Sequence, residues 1–180
     1  MTINVNGALQ VNTRNLNELS QLALIASDAS YKGRLASIGD PLQPFDDTPQ
    51  YGNPQPPFGF EFLLLSTNYK VDAIFDDAQD LTGFKATAFR NDATNDVILA
   101  FAGTDGPDAR DWWGNILHLG WNQWDKNSSP ISNYLAQFFD PATGSSSVRI
   151  HFVGQSLGGA LAQYAAYDLI LNHRLQAQFD

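Results

Sequence analysis

Cysteine is absent from the 180 residues. The chain therefore holds no disulfide framework, no thiolate metal site and no thiol nucleophile. Basic residues are scarce too, with 10 Lys and Arg against 19 Asp and Glu and a formal net charge of −9. A phosphate-binding surface needs clustered Lys and Arg, so nucleic acid and anionic membranes are poor partners, whereas a neutral lipid interface stays open. Long apolar runs are missing: no stretch reaches the roughly 18 residues of a membrane span, so no transmembrane segment is expected. The amino terminus, Met1 to Gly7, has no basic segment followed by an apolar one, and an ordinary secretory signal peptide is not expected. The expectation is a soluble protein, with any export signal outside this chain. Histidine is limited to His118, His151 and His173. No metal-ligating cluster is evident, and neither a metal nor a cofactor is expected.

What is present suits one globular domain spanning residues 1–180, because 43% of the residues are hydrophobic and only 16% charged. From Asn15 to Ala29, Leu16, Leu19, Leu22, Ala23, Ala26 and Ala29 recur at helical spacing and predict a first helix. Residues 39–59 are dense in Pro, Gly, Asp and Gln without a period and read as a long surface loop. Apolar runs at Phe60 to Ser66 and Lys70 to Phe75 follow. Gly83 to Arg90 and Val97 to Thr104 flank an Asn/Asp cluster and predict a hairpin. Val97-Ile98-Leu99-Ala100-Phe101-Ala102 is apolar without alternation, as in a strand buried on both faces. Ser129-Pro130 has the form of an N-cap and first helical position, predicting a helix over Pro130 to Phe139. Residues 141–147 break it. Val148 to Val153 reads as a further strand and Leu157 to Asn172 as a helix, so the class is α/β with a mixed sheet.

Between that strand and helix lies Gly154-Gln155-Ser156-Leu157-Gly158. A strand that turns this sharply into a helix needs residues without a Cβ two places either side of the serine, and Gly154 and Gly158 meet the demand. Ser156 then sits at the tip, a candidate nucleophile, where the helix dipole and free amides favour a developing oxyanion. The N–H of Leu157 is one expected donor. A chance Gly-x-Ser-x-Gly occurs in roughly one such chain in ten; the strand before it and the helix after it make the reading specific. Phe101-Ala102-Gly103-Thr104-Asp105 closes the other buried strand, and ligands of open α/β sheets collect at carboxyl strand ends. Thr104 is thus a candidate second donor, although Gly103-Thr104 read by itself equally well just ends a strand.

Gly154 to Ala162, preceded by Phe101 to Thr104 and by Asp111-Trp112-Trp113-Gly114-Asn115, resembles the class 3 (fungal-type) lipase family. The resemblance spans about Gly83 to Asn172. It implies an α/β-hydrolase fold with a mixed, mostly parallel sheet flanked by helices, of which the carboxyl-terminal part is missing here. It also implies hydrolysis of acylglycerol or phospholipid esters, with Ser156 as nucleophile and Thr104 and Leu157 as oxyanion residues. The chain departs from the family at Gln155, where the family usually has His, and at Ala102, where it has Arg. The segment between Thr104 and Trp112 is also longer.

A serine hydroxyl needs a histidine base held by a carboxylate, in the α/β-hydrolase order Ser, Asp or Glu, His. His173 lies roughly 25 Å along the same helix from Ser156, and Asp168 roughly 18 Å. His151 lies roughly 16 Å back along the strand. His118 escapes exclusion by local geometry, and as a surface or lid residue it needs no catalytic role. The expectation is that Asp and His follow Asp180 in a longer protein. All four tryptophans, Trp112, Trp113, Trp121 and Trp124, lie in one segment. Trp112-Ile116 and Trp113-Leu117 are helix neighbours four apart. The segment reads either as a lid or acyl-binding wall facing an ester or lipid substrate, or as a packed aromatic helix over the sheet. A lipid-binding fragment without turnover and another acyl hydrolase, such as a thioesterase, remain rival readings.

Overall fold

The computed structural model describes residues 2–3, 37–42, 68–77, 83–103, 116–140 and 142–172. The helix expected over Asn15 to Ala29, the apolar run at Phe60 to Ser66 and most of the 39–59 loop lie outside them, as do Thr104, Trp112 and Trp113. The described strands are β1 (Thr2–Ile3), β2 (Lys70–Asp76), β3 (Lys85–Asn91), β4 (Asp96–Phe101) and β5 (Arg149–Gly154). The helices are α1 (Ile116–Ala136), between β4 and β5, and α2 (Leu157–Asn172), after β5.

The strands form one sheet in the order β1-β5-β4-β3-β2. β3 and β4 are the expected hairpin, closed by the Asn91–Asp96 pair. Asn91 Oδ1 accepts a bond from the Ala93 N–H at 3.0 Å, and Asn95 takes the left-handed conformation at φ 53° that Asn tolerates. Every residue of β4 is buried. Val97, Leu99 and Phe101 enter the main core, while Ile98 and Ala100 enter a second cluster with Leu42, Tyr69, Val71 and Phe89. A strand covered on both faces has no reason to alternate, which is why its sequence does not.

Two expectations need correction. The sheet is mixed but not mostly parallel among the described residues: β4 and β5 are the parallel pair, and the other three pairings are antiparallel. Connections as short as those from β2 to β3 and from β3 to β4 can return the chain only antiparallel, whereas the β4-to-β5 connection carries α1 and has the length of a crossover. The second correction concerns Pro130. It stands inside α1 rather than at the head of a new helix, and Ser129 is a mid-helix residue rather than an N-cap. An interior proline costs about 3 kcal/mol. Trp124, Ile131 and Leu135 lie on one face of α1 on both sides of it, all within the core. Their burial contributes about 2 kcal/mol apiece and outweighs the proline.

On the same side of the sheet, α2 covers β4 and β5 with Leu161, Ala165 and Leu169. Tyr134 of α1 donates to Asp72 Oδ2 of β2 at 2.6 Å, tying the far end of the helix to the sheet. Burial, followed by this bond and the Asp72 charge, pushes the Tyr134 hydroxyl far above its usual range and keeps it a donor. No helix among the described residues is long and apolar enough to cross a membrane.

Candidate active site

The turn from β5 to α2 has the geometry its glycines predict. A Cβ on Gly154 would fall on the Gly158 carbonyl and 2.8 Å from the Gly159 nitrogen. One on Gly158 would fall on the Phe101 carbonyl oxygen and 2.9 Å from the carbonyl of Ala102. These obstacles are backbone and cannot swing aside, so both positions exclude every side chain.

Between them, Ser156 has φ 55°, in the left-handed region. Serine has neither the freedom of glycine nor the tolerance of asparagine there, and the strain is of order 1–3 kcal/mol. It persists because the flanking turn is over-determined. Ser156 is exposed, whereas Leu157, the first residue of α2, is buried. The N–H groups of Gly158 and Gly159 return to the carbonyls of Gln155 and Ser156, both at 2.9 Å. That leaves the Leu157 N–H among the free donors at the helix start, beside Ser156. A developing negative charge near Ser156 meets this donor and the positive end of α2.

Phe101 lies level with Gly154 in the parallel β4–β5 register, so the two strands end together. Gly103, the first half of the Gly-Thr pair, is buried at that end, and the backbone before it abuts Gly158. The structure thus brings the Gly103 turn against the turn that carries Ser156. Thr104 itself falls outside the described residues, with Trp112 and Trp113. Ile116 and Leu117 form the start of α1, with His118 in the same turn; their side chains are outside the described set.

Gly120 of α1 reaches the same place. A Cβ added to it would lie 3.2 Å from Tyr164 Cε2, 3.3 Å from Ala160 Cβ and 3.4 Å from Leu157 Cδ1. The next residue, Trp121, packs edge-on against Tyr164 with ring centroids 5.5 Å apart. Sequence reasoning noticed the tryptophans and missed the glycine. The available signal was a lone Gly within a run of otherwise helical period, which marks either a weak helix or a close approach.

The opposite end of the β4–β5 pair is built from charge. Asp96 is held by Arg149, with Nε to Oδ1 at 2.7 Å and Nη2 to Oδ2 at 2.9 Å. His151 Nε2 stands 3.3 Å from Asp96 Oδ1. Burial raises the Asp96 carboxyl; hydrogen bonds from His151 and Thr94 and the charges of His151 and Arg149 outweigh it and hold the carboxyl below its usual value. His151 is engaged here with Asp96, a partner 55 positions away that no local signal near either residue marks.

No family model matches the chain, and no curated protein does. Solved structures match in fold. A triacylglycerol lipase whose catalytic centre is described as a serine protease triad matches with a TM-score of 0.50 at 14% identity, over 92% of this chain and 58% of its own. The triacylglyceride lipase of Rhizomucor miehei matches with a TM-score of 0.55 at 14% identity, over 93% and 58%. A mutant form of MDLA from Penicillium cyclopium matches with a TM-score of 0.56 at 23% identity, over 87% and 58%. The chain therefore has part of an α/β-hydrolase fold similar to that of fungal lipases and spans less than two thirds of their length.

Proposed function

We propose that this chain carries the nucleophile of a lipase-type serine ester hydrolase acting on acylglycerol or phospholipid esters. The observation that carries this reading is Ser156 in the left-handed conformation, exposed at the amino end of α2 between two glycines that admit no Cβ. Such strain is characteristic of turns whose presented hydroxyl takes part in function.

In this reading Ser156 Oγ attacks the acyl carbonyl while a histidine takes its proton. The tetrahedral oxyanion is held by the Leu157 N–H and by Thr104. Collapse expels the alcohol, which leaves with the proton from the histidine, and water then hydrolyses the acyl-enzyme by the same route. Trp112, Trp113, Ile116 and Leu117 form the acyl-binding wall or lid. The histidine and its carboxylate are assigned to sequence beyond Asp180. His151 is engaged with Asp96 at the other end of β5, and Asp168 lies three turns along α2 from Ser156. The structural neighbour described as having a serine triad supports a histidine and a carboxylate as the partners of Ser156.

The test is Ser156→Ala in the protein at its natural length, with p-nitrophenyl butyrate as substrate. Hydrolysis should fall by about 10⁴-fold or more, and labelling by a fluorophosphonate should disappear. Unchanged hydrolysis would remove Ser156 from the mechanism. A panel of triacylglycerol, phospholipid and thioester substrates of one acyl length then identifies the substrate class.

A further inference from the structure

We propose that Gly120 is a positioning residue for the oxyanion donor at Leu157, an inference that rests on the ester-hydrolase reading above. The first turn of α2 is clamped from two sides. On one side Gly158 lies against the backbone of Phe101 and Ala102 with no room for even a methyl group. On the other, the bare backbone of Gly120 lies over Leu157, Ala160 and Tyr164.

A methyl at position 120 would enter contacts of 3.2 to 3.4 Å, inside the optimum of about 3.5–4.0 Å between carbons. Three things resist the relief of that crowding. The Ala160 Cβ is fixed to α2. The Tyr164 ring is held edge-on by Trp121. Leu157 is buried and cannot turn outward. The first turn of α2 cannot retreat towards β4 either, because Gly158 already touches it. The added volume is therefore taken up by a tilt of the turn that carries Ser156 and the Leu157 N–H. An oxyanion donor works by being preorganised within a narrow range of distance and direction, so such a tilt lowers the stability of the transition state more than that of bound substrate.

The experiment is Gly120→Ala in the protein at its natural length, with kcat and KM for p-nitrophenyl butyrate, thermal unfolding and inhibition by an alkyl boronic acid as readouts. The boronate forms a tetrahedral anionic adduct on the serine and reports the oxyanion site directly. The expected result is a kcat about tenfold lower with KM changed less than about twofold, and boronate affinity weakened in step. Gly120→Ala/Ala160→Gly, which returns a methyl's worth of space, should recover most of both. If Gly120→Ala proves too unstable to purify, Leu157→Ala loosens the same clamp from the other side and should show the same split. A lowered melting temperature with kcat and boronate affinity unchanged would reduce Gly120 to a helix-packing residue and overturn the proposal. The two readings separate cleanly. An active Ser156→Ala variant removes the hydrolase mechanism itself, whereas an inactive Ser156→Ala beside a fully active Gly120→Ala removes only the role of Gly120.

Discussion

The two ends of the β4–β5 pair are built in opposite ways. At the carboxyl ends side chains are stripped away: Gly154 and Gly158 let backbone meet backbone, Gly120 lets α1 lie against side chains of α2, and Ser156 is held at a positive φ. At the amino ends, side chains do the joining. Arg149 and His151 of β5 converge on Asp96 of β4. One end holds Ser156 at a strained φ; the other ties the same two strands together through charge. A turn held out of its preferred conformation survives only on a frame that cannot relax, and the charged clamp fixes the register of the two strands that frame it.

Removing the clamp is the strongest way to break this comparison. Asp96→Ala leaves Arg149 and His151 without their partner and should destabilise the fold by about 3 kcal/mol. Urea unfolding measures it, and a loss below about 1 kcal/mol would show that the clamp adds little. Gly158→Ala attacks the other end and should cost about 2–3 kcal/mol while displacing the Ser156 turn. Its fluorophosphonate labelling should fall much more than that of Asp96→Ala when both are compared at a temperature where each is folded.

A third test follows pH. The Asp96 carboxyl is depressed in the folded protein, so its contribution is present above its ordinary value of 3.8 and is lost as pH falls through the lower folded-state value. The stability gap between wild type and Asp96→Asn should therefore be present above 3.8 and close as pH falls below it. A gap of the same size in strong acid would mean that Asp96 acts through shape rather than charge.

The smallest effect has the opposite sign. Ser156→Gly relieves the positive φ and should stabilise the protein by about 0.5–1 kcal/mol while abolishing ester hydrolysis. Chemical denaturation of Ser156→Gly beside Ser156→Ala separates the backbone effect from loss of the hydroxyl. Equal stability of the two would argue against strain at this residue.

Much of this contrast was legible at one end and not at the other. The Ser156 turn is local: its glycines, strand and helix lie within a few residues, and the predicted bounds of the helix from Leu157 to Asn172 match α2. The apolar run of β4 also declared itself, because two-sided burial erases alternation. The clamp joins Asp96 to residues more than fifty positions away, and nothing near Asp96 distinguishes it from the other acids. The single helix α1 was hidden because Pro130 is locally a start signal. The face shared by Trp124, Ile131 and Leu135 becomes decisive only once a sheet lies beneath it.

The sequence by itself determined the mixed α/β class, the hairpin, the buried central strand and the sharp turn that presents Ser156, since each follows from steric or hydrophobic rules acting over a few residues. Tertiary structure alone decided that the sheet is mainly antiparallel among the described residues, that α1 runs through its proline, and that Gly120 meets Leu157. It also decided that Asp96, Arg149 and His151 lock the far end. These outcomes depend on free energies summed over contacts between distant segments, and a few kcal/mol of shared burial override the local preference that a sequence displays.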